Sequence, residues 1–186
     1  MHGITDIHTL FDAINTGKPV EYVFFWGHQQ RKDGRVSKSC LRHWYPAVLT
    51  ADGIQYATTE HDMMAQKAKR FGDTAMYTKM LDAETPKDAK ALGRKVSGFD
   101  ETTWNVHRVK IVVAGNLAQC SQHPALSEFL LSTGEHVLVE ASPYDRIWGI
   151  GMAADAPNVD DPHTWKGLNL LGFALMDVRR QLQTAE

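Results

Sequence analysis

Capped helical segments outnumber strand-like runs in this chain, and they alternate with those runs irregularly. That pattern limits the fold more than any single motif, because a parallel βαβ sheet needs strands and helices in regular succession. Ile7, Leu10, Phe11 and Ile14 have helical spacing, and Gly17 and Pro19 close the segment. Glu21 to Trp26 is aromatic and β-branched and predicts a strand; Gln29 to Ser39 is polar and predicts an exposed loop. Val48 to Tyr56 predicts a hairpin turning at Ala51-Asp52-Gly53. Thr58 or Thr59 caps the next helix, which carries Met64, Ala68 and Phe71 inward and stops at Gly72. Thr85-Pro86 opens a helix to about Gly93, Asp100 caps a longer one with Trp104, Arg108, Ile111 and Val112, and Pro124 starts another. His136 to Ala141 predicts a short strand, and Ser142 to Asp161 a long loop rich in Gly, Pro and Asp. Gly167 to Leu182 predicts the last helix, with Leu168, Leu171, Leu175 and Val178 as its buried stripe. The expectation is a compact, mostly helical α+β single domain over 1–186 with a few short strands.

Composition narrows the function classes. A length of 186 residues favours one domain with a real core. A net charge of −2 argues against a broad nucleic-acid-binding field, while leaving room for a local basic pocket. No apolar run approaches the roughly 20 residues of a membrane span, so no membrane partner is expected. Met1-His2-Gly3-Ile4-Thr5-Asp6 lacks a basic start followed by an apolar stretch, so no secretory leader is expected. Cys40 and Cys120 are the only cysteines, which points to a reduced, cytoplasmic setting. The nine histidines show no metal-ligand spacing, so the expected metal set is none.

The chemistry-bearing residues fall in three clusters. Glu60, Met64 and Lys67 share one face of the helix from Thr59. Glu60 lies in the first turn, where the helix dipole favours its ionised form; Lys67 can bind phosphate or, if desolvated, act as an amine nucleophile. The blander reading makes Glu60 a surface acid and Lys67 a solvated lysine. Asp145 and Trp148 follow a predicted strand, where loop residues often build sites; they read equally as a turn former and a core plug. Arg94, Lys95, Arg108 and Arg146 read as a phosphate clamp or as an ordinary solvated basic face. Asn169 opens the last helix as a ligand donor or a cap. Gly149-Ile150-Gly151-Met152-Ala153-Ala154 has a dinucleotide-like spacing, but Asp155-Ala156-Pro157 follows and breaks the helix such a site requires.

In order along the chain stand Leu41-Arg42-His43-Trp44-Tyr45-Pro46, then Tyr56-Ala57-Thr58-Thr59-Glu60-His61-Asp62-Met63-Met64-Ala65-Gln66-Lys67-Ala68, then Ala89-Lys90-Ala91-Leu92-Gly93-Arg94-Lys95-Val96. Trp104 with Arg108, Glu140-Ala141-Ser142-Pro143, Asp145, Trp148-Gly149-Ile150-Gly151 and Trp165-Lys166-Gly167-Leu168-Asn169 follow, through Val178-Arg179. Over about residues 21–182 this series resembles the NADAR family. The resemblance implies a mostly helical α+β fold and an N-glycosidase that cleaves a C–N bond between ribose and an amine, with no cofactor. It implies catalytic Glu60, Lys67 and Asp145, and substrate-binding Arg94, Trp104, Trp148 and Asn169. Its two substrate classes are ADP-ribose on guanine in nucleic acid and the small ribosyl-amine intermediates of riboflavin synthesis. A binding module without turnover is the alternative of another class. The chain departs from the family where Asp62 replaces an aromatic residue, and where Arg42-His43 replace Ser-Asn or Ser-Gln.

Overall fold

In a computed structural model, residues 3–27 and 29–185 are described. Among them seven α-helices stand against four short strands, an α+β composition. The chain divides into two compact units: one from the segments up to Arg42 and from Ala125 onward, the other from His43 to Pro124.

The first unit is organised by two strands, β1 (Tyr22–Phe25) and β4 (Val137–Glu140), paired in parallel with Tyr22 opposite Val137 and Phe25 opposite Glu140. All four residues of β4 are buried, as a strand covered on both faces must be. Helix α7 (Leu170–Ala185) lies directly on β4, because Gly172 has no Cβ; one there would strike the Leu138 carbonyl oxygen. Leu171, Leu175 and Val178 are buried as expected, whereas Leu168 is exposed, because α7 starts two residues after it. Helix α1 (Ile7–Asn15) opens with an Asp6–Thr9 capping box and stacks Phe11 on His163, centroids 4.4 Å apart. Helix α6 (Pro124–Ser132) leads into β4. Arg179 of α7 ties that turn by donating to Thr133 Oγ1 at 2.6 Å and to the His136 carbonyl at 3.0 Å.

The second unit is helical apart from the hairpin β2 (Leu49–Ala51) and β3 (Ile54–Tyr56), which turns through Asp52 and Gly53, both at positive φ. Its centre is α2 (Thr59–Arg70), surrounded by α3 (Thr74–Leu81), α4 (Pro86–Gly93) and α5 (Glu101–Gln122). Helix α3, which the sequence pattern does not announce, is capped by Asp73 accepting from the Met76 N–H at 2.9 Å. It buries only Met80, too narrow a stripe for apolar periodicity to register. No helix among the described residues is long and apolar enough to cross a membrane.

Candidate active site

Helix α2 is unusual because its polar residues are inside. Thr59 through Ala65 are all buried, and Glu60 is only 2% exposed. The solvated-acid reading of Glu60 therefore fails. Carboxylates are rarely buried without compensation. Here the Glu60 N–H donates to the His43 carbonyl at 3.1 Å, as does the Thr59 hydroxyl at 3.3 Å. His43 Nδ1 lies 3.8 Å from Glu60 Oε2, with both side chains buried. The first turn of α2 is thus fixed by His43.

Two turns further on, Lys67 is caged. Its Nζ donates to the Gly93 carbonyl at 2.9 Å, and lies 4.1 Å from the Phe99 ring centroid and 5.6 Å from that of Trp104. Phe99 meets Phe71 edge-on at 5.3 Å, which holds the lid ring in place. Burial lowers the Lys67 pKa from the ordinary lysine value. A lysine in this state carries a larger neutral fraction than a solvated one, and its orientation is set by a carbonyl and aromatic faces. Trp104, buried in the first turns of α5, supplies one wall; Arg94 sits as the exposed C-cap of α4, directly after Gly93. Arg108, one turn beyond Trp104, is half-buried, and its Nε meets no acceptor.

The other polar residues of α2 are braces. His61 Nε2 faces the Ala83 carbonyl at 3.2 Å, so it carries the proton, and Nδ1 accepts from the Thr58 hydroxyl at 2.8 Å. Burial lowers the His61 pKa, in keeping with a neutral ring. Asp62 accepts from Gln66 Nε2 at 3.0 Å, and burial raises its pKa. Its second oxygen occupies the space left by Gly115 in the middle of α5. Gly115 on the facing helix thus makes room for the Asp62 carboxylate.

In the first unit, the two motifs after β4 form one structure. Ser142 Oγ accepts from the Tyr144 and Asp145 N–H groups at 3.4 and 3.2 Å. Asp145 Oδ1 then accepts from the Ile147 and Trp148 N–H groups at 2.9 and 2.8 Å. The segment 146–150 is zipped to 166–171: Lys166 N–H to Ile150 O at 2.9 Å, Leu168 to Arg146 at 3.0 Å, Asn169 to Gly149 at 3.2 Å and Leu171 to Trp148 at 3.1 Å. Gly149 and Gly167 permit this backbone-to-backbone approach; a Cβ on either would meet main-chain oxygens. The Gly149–Gly151 run opens no helix, consistent with its rejection as a dinucleotide turn.

Asn169 stands directly before α7, and its carbonyl accepts from the Phe173 N–H at 3.2 Å. It is fully buried, its Oδ1 accepts from the Glu140 N–H at 2.9 Å, and its Nδ2 donates to the Leu138 carbonyl at 2.9 Å. Both ends of the amide are spent on β4, at a residue whose φ of 53° allows the chain to turn into α7. Arg146 is exposed, and Asp145 and Trp148 are half-buried. Glu140 itself pairs with Arg42, Nε to Oε1 3.1 Å, at the end of the 3-10 turn Lys38–Leu41.

Within the second unit the fold thus brings Lys67 to Trp104, and Arg94 to the neighbouring carbonyl; within the first it brings Asp145 to Trp148. Sequence reasoning missed His43 beside Glu60 and Phe99 over Lys67. His43 entered only as part of the Leu41–Pro46 motif and Phe99 not at all, because each contact joins residues far apart in the chain.

Comparison with known proteins bears on the same residues. The NADAR domain profile matches residues 24–183. An N-glycosidase of Acanthamoeba polyphaga mimivirus is 38% identical over 169 residues, covering 88% of this chain and 97% of the relative. An N-glycosidase of Nostoc punctiforme is 32% identical over 77% of this chain and 85% of its own. A riboflavin biosynthesis protein of Vibrio vulnificus is 33% identical over 77% of this chain, but over only 35% of that longer protein. The NMR structure of Escherichia coli YbiA shares the fold, with a TM-score of 0.71 at 24% identity, covering 89% of this chain and 86% of YbiA. From residue 24 to residue 183 the chain belongs to the NADAR family.

Proposed function

We propose that the protein is an N-glycosidase that hydrolyses the C–N bond between ribose and an amine, and that its substrate is ADP-ribose carried on the amino group of guanine in nucleic acid. The observation that carries this reading is the pairing, on one helix, of the buried Glu60 with the aromatic-caged, desolvated Lys67. Seven residues of helix separate their backbones by roughly 10 Å, about two turns of one face. The family match takes in both units, which supports reading the chain as one NADAR domain with its core over about 21–182. The names of the two relatives matched over most of their length support the N-glycosidase activity.

In the reaction the C1′–N pair leaves with the amine, which takes up a proton, while C1′ becomes electron-poor. A buried carboxylate at Glu60 stabilises that charge more strongly than a solvated one would, because no water screens it. Asp145, stiffened by the Ile147 and Trp148 N–H groups, is assigned the second carboxylate role. Trp104 and Trp148 supply faces for base or sugar, and Arg94 a phosphate contact. Either water adds directly to C1′, or the neutral Lys67 amine bonds to C1′ first and water then releases the sugar from the imine.

The test is release of ADP-ribose from a guanine-ADP-ribosylated oligonucleotide, wild type beside Glu60→Gln. The variant is expected to fold normally and to lose at least ~100-fold in rate; a near-normal rate removes Glu60 from the chemistry. Borohydride trapping separates the two routes, with an adduct that disappears in Lys67→Ala marking the lysine route. On that route, activity rises with pH as Lys67 loses its proton, below the range of an ordinary lysine. A second reading, hydrolysis of a ribosylamino-pyrimidine intermediate, is favoured by the name of the Vibrio vulnificus relative. It gains the ground if the oligonucleotide is untouched and the small intermediate is cleaved. Product binding without turnover of either substrate would point to the binding module.

A further inference from the structure

At the carboxyl end of the β1–β4 pair, the first unit exposes large apolar side chains that the chemistry above does not use. Trp26, directly after β1, is 49% exposed, and Tyr144, in the loop after β4, is 86% exposed. Their ring centroids are 6.2 Å apart with planes tilted by 50°, so neither ring covers the other's face. Two aromatic rings left in water beside one another mark an interaction surface more often than a scattered exposed residue does. Ile147 and Leu168, both on the zipped loops that hold Asp145, are exposed as well.

A basic loop starts at the same place. Between Trp26 and the Lys38–Leu41 turn the chain carries Arg31, Lys32, Arg35 and Lys38 against the single acid Asp33, a local charge of +3 in a protein whose net charge is −2. All four cations are exposed. Asp33 shapes the loop, with its oxygens 2.8 Å from Arg31 and 3.2 Å from Arg35. The far end of the loop returns to the same end of the sheet, where Arg42 pairs with Glu140, the last residue of β4. Aromatic faces and a basic loop therefore share one end of the sheet, and Tyr144 is the residue before Asp145.

We propose that Trp26, Tyr144 and the Arg31–Lys38 loop form a platform for single-stranded nucleic acid, with a base stacked on the two rings and flanking phosphates held by the loop. The inference rests on the reading of a nucleic-acid-borne substrate and specifies its carrier: a strand whose bases are unpaired. Stacking tolerates any base, because every base presents a π face, and a duplex hides those faces. The charge of the loop complements a phosphate backbone, and its salt dependence reports the contacts it makes.

The experiment is fluorescence anisotropy of an unmodified single-stranded oligonucleotide with the full chain, repeated at several salt concentrations and with the matching duplex. Trp26→Ala/Tyr144→Ala is expected to weaken binding about ten-fold at constant salt. Lys32→Gln/Lys38→Gln is expected to make the slope of log affinity against log salt shallower by roughly 1.4. Cleavage of ADP-ribosylated guanosine, which carries no strand, should be unchanged in both variants. Wild-type binding by both variants, or equal affinity for duplex and single strand, overturns the platform. Equal affinity for polyglutamate at matched ionic strength does so too, and points to an acidic protein partner instead. Because the strand is unmodified, these outcomes are read whether or not the enzyme removes ADP-ribose, so failure of the platform and failure of the proposed activity are told apart.

Discussion

The two units hold their candidate residues by opposite means. Around α2, side chains fit into gaps left by glycines: Met64 fills the space at Gly93 and Asp62 the space at Gly115. Around β4, main chain lies against main chain: Gly149, Gly167 and Gly172 face the carbonyl oxygens of Glu140, Gly149 and Leu138. A helix can therefore bury Glu60 and half-bury Lys67, and that burial lowers the Lys67 pKa. The zipped loops hold Asp145 and Trp148 half in solvent, with position set by hydrogen bonds rather than by burial. Burial sets the surroundings of the candidate residues in the one region and hydrogen bonds set their placement in the other.

The contrast is sharpest in the glycines. Gly172→Ala is expected to cost about 3 kcal/mol, because neither the Leu138 carbonyl nor the doubly bonded Asn169 amide can move aside. Gly93→Ala, which meets the flexible end of Met64, should cost under about 1 kcal/mol, since a better helix former offsets the displacement. Chemical denaturation of both variants checks this, and equal losses would erase the distinction between side-chain and main-chain packing. Asn169→Ala comes next, at about 2 kcal/mol, because it leaves the Glu140 N–H and the Leu138 carbonyl buried without partners. If Asn169 served substrate instead, stability would hold and KM would rise.

A smaller effect than those of Gly172 and Asn169 tests the cost of burial at α2. Asp62→Asn keeps the oxygen that Gln66 bonds and removes the charge, so stability at neutral pH should rise by on the order of 1 kcal/mol. The sign follows from its raised pKa. Between the unfolded value near 3.9 and the higher folded value, the native state binds more protons than the unfolded one, so the native protein loses stability as pH climbs through that window. The advantage of the variant over wild type should therefore be full above the folded pKa and vanish in acid. Unfolding midpoints of both proteins across that range measure it; a constant difference would place the benefit elsewhere.

What was legible in the sequence was local. Thr58, Thr85 and Asp100 each cap the helix they announce, accepting from His61, Asp88 and Thr103 N–H groups. Asp52-Gly53 turns the predicted hairpin, and the face shared by Glu60 and Lys67 follows from helical spacing alone. The ordered motifs were enough to identify the family. Environment was not legible, because burial is a property of what other segments bring near. Whether Glu60 is a surface acid or a buried one depends on the chain around His43, and whether Lys67 is solvated depends on Gly93, Phe99 and Trp104. Asn169 makes the point in reverse: a motif residue by sequence, it is consumed by β4, a strand 29 residues away. Local hydrogen bonds and periodicity are encoded within a few residues and can be read there. Desolvation, which lowers the Lys67 pKa, arises only when distant segments exclude water together, and the tertiary structure alone decides it.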